Sequence, residues 1–481
     1  VRPLGVGLVF WPELAPLLDD TDLVGVIEIE PQGFWEKLPC GSGACYRPNG
    51  GLLRNIAQYP QPKLLHGVGQ PVGGITYDPV DATPSLRGAV DLLRPVWVSE
   101  HLSFNRTYRD AAVTEAGFLL PPRQSTAGVF AAADNIVRYA SMTGSPVAFE
   151  TGVNYLQPRA DELDDGAWFA RVAEQARCGI LLDLHNLWCN QRNGRERVRD
   201  VLARMPLDRV WEVHLAGGMA LDGYWLDAHS DAVAPELLEL AAEVVPKLPN
   251  LGAIVFEILP QHLPRIGIDG VGRQLEQLAK LWALRAPHYA VTSPATHPHP
   301  AYLATTDAHR ELGRNLRELA EWENTLAAAI RGDAVNSSCF ADLAQDAGIA
   351  VYRQLIGDAR RSNLTRALRY TMLLLLAMLG SDETETILDR YFMTTAPDAY
   401  AALEAEGFAR FLRDQSALLA GVPHLAEVLA FEHALLRASL YAEPAELAWS
   451  SDPTEIFAAL DAGRLPRGLP VVRTTMRIAA Q

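Results

Sequence analysis

Cysteine is scarce in this chain, and what there is lies badly for metal or disulfide chemistry. Five cysteines (Cys40, Cys45, Cys178, Cys189 and Cys339) are spread over 481 residues. None shows the C-x2-C spacing of a zinc site, and an odd count in so long a chain does not fit a disulfide framework. Cys40 and Cys45 share a Gly-rich loop and read as two loop thiols. The expectation is a reducing, cytoplasmic setting. Positive charge is also short: 42 Lys and Arg against 58 Asp and Glu leave a formal net charge of −16. Duplex-binding proteins carry a basic surplus, so no nucleic-acid partner is expected, and the acidity suits binding of metal cations. Long apolar runs are missing too. The greasiest, residues 370–379, falls far short of the roughly 20 residues needed to span a bilayer and reads as a buried helix. The apolar stretch 6–11 is too short for a signal peptide and has no small-residue cleavage site.

What the sequence does contain, up to about residue 285, is alternation. Short β-rich apolar runs occupy 5–10, 24–30, 63–68, 96–102, 147–150, 179–185, 209–215 and 253–259. Between them lie segments of 3.6-residue periodicity, among them 125–143, 160–177, 195–204, 234–247 and 272–284. Strand–helix alternation implies a parallel sheet. Eight strands over some 280 residues fit a (β/α)8 TIM barrel better than a doubly wound sheet, and no Gly-rich dinucleotide fingerprint follows the first strand. Residues 286–300 carry four prolines, so 286–305 reads as a Pro-rich linker in which His297 and His299 are solvated. Beyond it strand-like runs nearly vanish, and 315–331, 341–357, 364–379, 385–393, 397–414 and 424–441 read as helices. The expected architecture is a barrel domain over 1–285 followed by a separate all-α domain over 306–481.

Ionisable and amide side chains collect at the C-terminal ends of these strands, the face on which barrel enzymes build their sites. His66 ends the third strand, His101 the fourth and Glu150 the fifth. Asp183 and Asn186 close the sixth, His214 the seventh and Glu257 the eighth, with Asp227 and His229 in the loop between the last two. Taken singly, each has an ordinary explanation: a structural histidine, or a carboxylate capping the next helix. Imidazole is a poor N-cap, however, and burying so many charges without a cation costs several kcal/mol per ion. Metal binding removes both objections. The donors are nitrogen and oxygen only, which favours Fe, Mn or Zn. Nine are too many for one ion, and Glu150, mid-set, is the natural bridge. His185 is a further candidate ligand, but in an extended strand it should point away from its neighbours.

These motifs in this order resemble the multinuclear non-haem iron-dependent oxidases, the family of the methanobactin-biosynthesis oxygenase. The matching segments are HGVGQPVGG from His66, SEHLSF around His101, FETGVNYL at Glu150 and LLDLHNLWCNQRNG at Asp183. EVHLAGG at His214, LDAHSDAV at Asp227 and FEILP at Glu257 complete the set. The resemblance implies two or three irons per chain and O2 as co-substrate. One iron would take His66, His101 and Glu150; a second would share Glu150 and add Asp183, His214 and Glu257; a third would use Asn186, Asp227 and His229. Glu150, Asp183 and His214 are the implied catalytic centre. The implied substrate is a ribosomally made precursor peptide, modified at cysteine. Two departures bear on substrate handling: Glu150-Thr151 stands where the family has Glu-Asn, and Asp183-Leu184-His185-Asn186 where it has Asp-x-Asn-Asn. The helical C-terminal region resembles the small partner protein of these oxidases, here fused, which implies binding of the peptide leader. Arg360, Arg361, Arg366 and Arg369 would then engage an acidic leader or form a solvated face. The same ligand layout occurs in sugar-isomerase and endonuclease IV type barrels, so a Zn or Mn hydrolase or isomerase stays open, as does a non-catalytic peptide-binding protein.

Overall fold

The computed structural model describes residues 2–19, 23–40, 43–77, 81–109, 112–286, 306–335, 337 and 339–479. Eight strands close into a parallel barrel: β1 (Gly5–Val9), β2 (Val26–Ile29), β3 (Lys63–Gly67), β4 (Val98–His101), β5 (Val147–Glu150), β6 (Gly179–Asp183), β7 (Val210–Ala216) and β8 (Ala253–Glu257). Each pairs with its sequence neighbour, and β1 closes the ring against β8 with Gly5 opposite Ala253. The strands are buried along nearly their whole length. That is why they read as continuous apolar runs and not as alternating ones. Helices start where side chains can cap them: Ser125 Oγ accepts from Gly128 N ahead of Thr126–Thr143, and Asp164 accepts from Ala167 N ahead of Asp165–Ala176.

The sixth unit departs from expectation. Its strand stops at Asp183, and the helix Leu184–Arg192 begins at once, because Asp183 Oδ1 accepts from Asn186 N at 2.7 Å and acts as N-cap. His185 therefore lies in a helical first turn, not in an extended strand.

By its contacts the chain divides into two compact units: Val1–Trp35, Pro48–Val113 and Leu119–Val351 in one, Glu36–Arg47, Thr114–Phe118 and Tyr352–Gln481 in the other. This is not the division expected at 286–305. The helix Thr306–Arg331 belongs with the barrel, where Trp322 Nε1 donates to Pro121 O at 3.2 Å and Glu323 Oε1 accepts from Ile75 N at 2.8 Å. Most of the expected linker, with His297 and His299, lies outside the described residues, as do the side chains of Cys40 and Cys45. Cys178 and Cys189 are buried free thiols.

The second unit is helix-rich but not all-α. Ala445–Trp449 pairs antiparallel with Thr474–Ile478, and Trp449 turns inward against Phe431 and Phe457. The five-residue AELAW alternation was too short to register as a strand. The apolar helix Arg369–Leu379 is a core element, and among the described residues no helix is long and apolar enough to cross a membrane. The four arginines singled out in the sequence are occupied internally. Buried Arg360 pairs with Glu404 at 2.7 Å and stacks on Tyr391 and Phe392, Arg361 pairs with Glu385 and Arg369 with Asp461, and Arg366 donates to Asn363 Oδ1.

Candidate metal centre

Because β3 to β8 run parallel, their C-terminal ends deliver His66, His101, Glu150, Asp183, His214 and Glu257 to one mouth. Two sets of ligand atoms there lie within 4.8 Å of one another: His66, His101 and Glu150, then Glu150, Asp183, His214 and Glu257. Glu150 belongs to both. Its Oε2 lies 3.2 Å from His66 Nε2 and 2.9 Å from His101 Nε2, while Oε1 accepts from Asn186 Nδ2 at 3.3 Å. His214 Nδ1 lies 3.1 Å from Glu257 Oε2, and His229 Nε2 is 2.9 Å from Asp227 Oδ1 and 3.3 Å from Glu257 Oε2. All nine residues singled out in the sequence thus meet at this mouth.

The imidazoles are aimed. His101 Nδ1 faces Gly67 O at 3.0 Å; a carbonyl only accepts, so Nδ1 donates to it and Nε2 is the nitrogen turned to the mouth. His66 Nδ1 meets Ser99 Oγ at 2.8 Å, and that hydroxyl donates onward to Leu65 O. His229 sits at φ +45°, a costly left-handed conformation for a non-glycine residue.

Six buried polar atoms here have no hydrogen-bond partner: Glu150 Oε2, Asp183 Oδ2, Asn186 Oδ1, His214 Nδ1, His229 Nε2 and Glu257 Oε2. Three of them approach one another, His214 Nδ1 and His229 Nε2 lying 3.1 and 3.3 Å from Glu257 Oε2 without hydrogen-bond geometry. Ligands about 2.1 Å from a common ion at right angles are about 3 Å apart, so these separations match the edges of a coordination polyhedron. The electrostatics agree. Burial works to raise Glu150, but the charges of His101 and His66 hold it well below the usual carboxylate range. Asp183 goes the other way: burial, then the charges of Asp227, Glu150 and Glu257, push it well above, against a smaller pull from His214. Carboxylates crowd Asp183 from three sides, and a bound cation would balance them.

Three residues escaped the sequence reading, and a fourth was placed wrongly by it. Glu28 on β2 and Glu212 on β7 lie inside the barrel beneath His214, whose Nε2 is 3.1 Å from Glu28 Oε1 and 3.7 Å from Glu212 Oε1. Trp97 Nε1 donates to Glu212 Oε2 at 2.8 Å. Burial and then the Glu212 charge raise Glu28 well above the ordinary range. Glu30, just past β2, is raised by burial and feels His66, Glu257, His229 and His101 in turn. The fourth is His185, which meets Asp227 Oδ1 through Nδ1 at 2.8 Å. The available signals were an acidic residue inside each apolar run (VIEIEP, VWEVH) and the capping aspartate before Leu184.

Comparison with known proteins places this geometry. A UPF0276 protein of Chromobacterium violaceum is 30% identical over 244 residues, 51% of this chain and 83% of that protein. One from Anaeromyxobacter is 28% identical over 43% of this chain and 71% of its own length. Among solved structures, D-allulose 3-epimerase from Methylomonas sp. aligns with 59% of this chain and 96% of its own at TM-score 0.37 and 14% identity. The family model described as RiPP precursor modification enzyme MbnB/TglH/ChrH, for enzymes of ribosomally made, post-translationally modified peptides, matches residues 6–262, more than half of the sequence. The chain belongs to this family of precursor-peptide-modifying enzymes.

Proposed function

We propose that this chain is an O2-dependent, multinuclear non-haem iron oxidase that modifies its precursor peptide at cysteine. The observation that carries the proposal is the set of six buried, unpartnered donor atoms gathered at one barrel mouth. In this reading His66, His101 and Glu150 hold one iron, and Glu150, Asp183, His214 and Glu257 hold a second. Asn186, Asp227 and His229 hold a third. Bound iron would supply an open redox-active position for O2 and for the substrate thiolate. The remaining work falls to the chain itself. Glu150 spans two positions with its two oxygens, and Asp183 is fixed by capping a helix with one oxygen while the other faces the mouth. Ser99 and the Gly67 carbonyl hold the two neighbouring imidazoles in register. Burial keeps competing water out. The second unit is assigned the peptide leader; its cavity of about 390 Å3, lined in part by Arg413, Leu429, His433, Arg437 and Leu447, supports that assignment.

The test is functional, because zinc outcompetes ferrous iron on affinity at such donors and metal content after aerobic purification misleads. Metal-stripped protein is reconstituted anaerobically with ferrous iron or with zinc, given candidate peptide, then exposed to oxygen. Oxygen uptake and a peptide mass change with iron alone are expected. Equal activity with zinc in the absence of oxygen would instead establish a hydrolase or isomerase.

A further inference from the structure

We propose that His185 is a positioning residue that holds Asp227 as a ligand at the outermost metal position. This rests on the metal reading above. His185 is fully buried, and both its ring nitrogens are engaged. Trp225 Nε1 approaches His185 Nε2 at 3.4 Å. An indole N–H can only donate, so Nε2 is the acceptor and Nδ1 carries the ring proton. That proton is directed at Asp227 Oδ1, 2.8 Å away. With neither nitrogen free, His185 is not itself a ligand; it restrains one.

The contact is built from three sides. Trp225 belongs to the hairpin Met219–Leu221 and Tyr224–Leu226. Asn193, at the end of the helix that bears His185, clamps the Trp225 backbone twice, donating to its carbonyl at 2.9 Å and accepting from its amide at 2.8 Å. Arg192 lies over the Trp225 ring at 4.3 Å. Gly218 leaves the room: a Cβ there would fall 2.5 Å from Trp225 Nε1 and 2.7 Å from His185 Nε2. The Asp227 backbone is held as well, its amide donating to Tyr155 Oη at 3.0 Å. The oxygen that His185 restrains, Asp227 Oδ1, is the same one that faces His229 Nε2 at 2.9 Å. His66, His101 and Asp183 each have their own holding group at the mouth, and His185 is the one belonging to Asp227.

Outer partners of this kind are worth about 10–100-fold in metal affinity. The experiment counts ions per chain and titrates each against a competing chelator, using ferrous ion without oxygen and, separately, zinc. Wild-type protein is expected to bind three ions. His185→Phe should keep two at unchanged affinity and bind the third about 10–100-fold more weakly; Trp225→Phe should weaken the third ion less, in the same direction. Three ions at wild-type affinity in His185→Phe overturn the proposal alone. A wild-type chain that binds only two overturns the reading beneath it, and the proposal with it. Should His185→Phe fail to fold, Trp225→Phe decides: an unchanged third ion there overturns the role assigned to His185.

Discussion

Glu150 is the residue on which most of the centre depends. Two imidazoles meet its one oxygen and Asn186 its other, so Glu150→Ala is expected to abolish activity and to remove more than one ion per chain. Retention of the full metal complement, measured by elemental analysis, would end its role as a bridge. Glu28 is expected to act through His214. Glu28→Ala removes the acceptor beneath Nε2 and should weaken metal at the Glu257 position about tenfold; unchanged affinity would reduce Glu28 to packing. The contrast between these two residues shows what was readable in the sequence. His66, His101, Glu150, Asp183, His214 and Glu257 stand at strand ends, where one donor per β/α repeat makes a pattern. Glu28 and Glu212 face inward from the middle of apolar strands, where nothing in the spacing separates a buried acid from an exposed one. His185 departs from the strand expectation for a local reason: Asp183 caps a helix two residues before the apolar run ends.

The helix Thr306–Arg331 shows how an element can be recognised and still be misassigned. Its periodicity is plain, yet it was grouped with the C-terminal helices because it follows the Pro-rich stretch. Its inner face instead packs on the barrel, with Arg123 over Trp322 at 5.2 Å and over Phe340 at 5.3 Å, and with Glu323 against the loop that follows His66. Burial raises the Glu323 carboxyl to about 8, partly offset by the amides of Ile75 and Thr76. A carboxyl whose pKa is higher folded than unfolded binds its proton more tightly in the folded state. Its contribution is therefore complete below about 4.3 and is lost as pH rises through 8. Wild-type protein should lose stability relative to Glu323→Gln between about pH 5 and 8. Parallel denaturation curves for the two proteins across that window would show that Glu323 is not buried as a neutral acid.

At the scale of the whole molecule, a chain ended after Ala286 is expected to be insoluble or to lack a cooperative melt, because it loses Trp322, Glu323 and Phe340 and strips their partners Arg123 and Ile75. A soluble, cooperatively melting fragment with full metal content would make that helix an accessory. The barrel itself was legible from eight apolar runs at regular spacing, but the route of the chain through its two units was not. Segments 36–47 and 114–118 are folded with residues 352–481: Lys37 pairs with Asp398 at 2.9 Å, and Tyr46 packs on Tyr400. No pattern in the sequence ties residues so far apart. That threading has a consequence for synthesis. Residues 36–47 leave the ribosome more than 300 residues before 352–481, a wait of roughly 15–60 s at ordinary elongation rates. Through that interval the segment, whose strands Trp35–Cys40 and Gly43–Pro48 pair only with each other among the described residues, lacks the residues it folds with, and slow translation before residue 352 would lengthen its exposure.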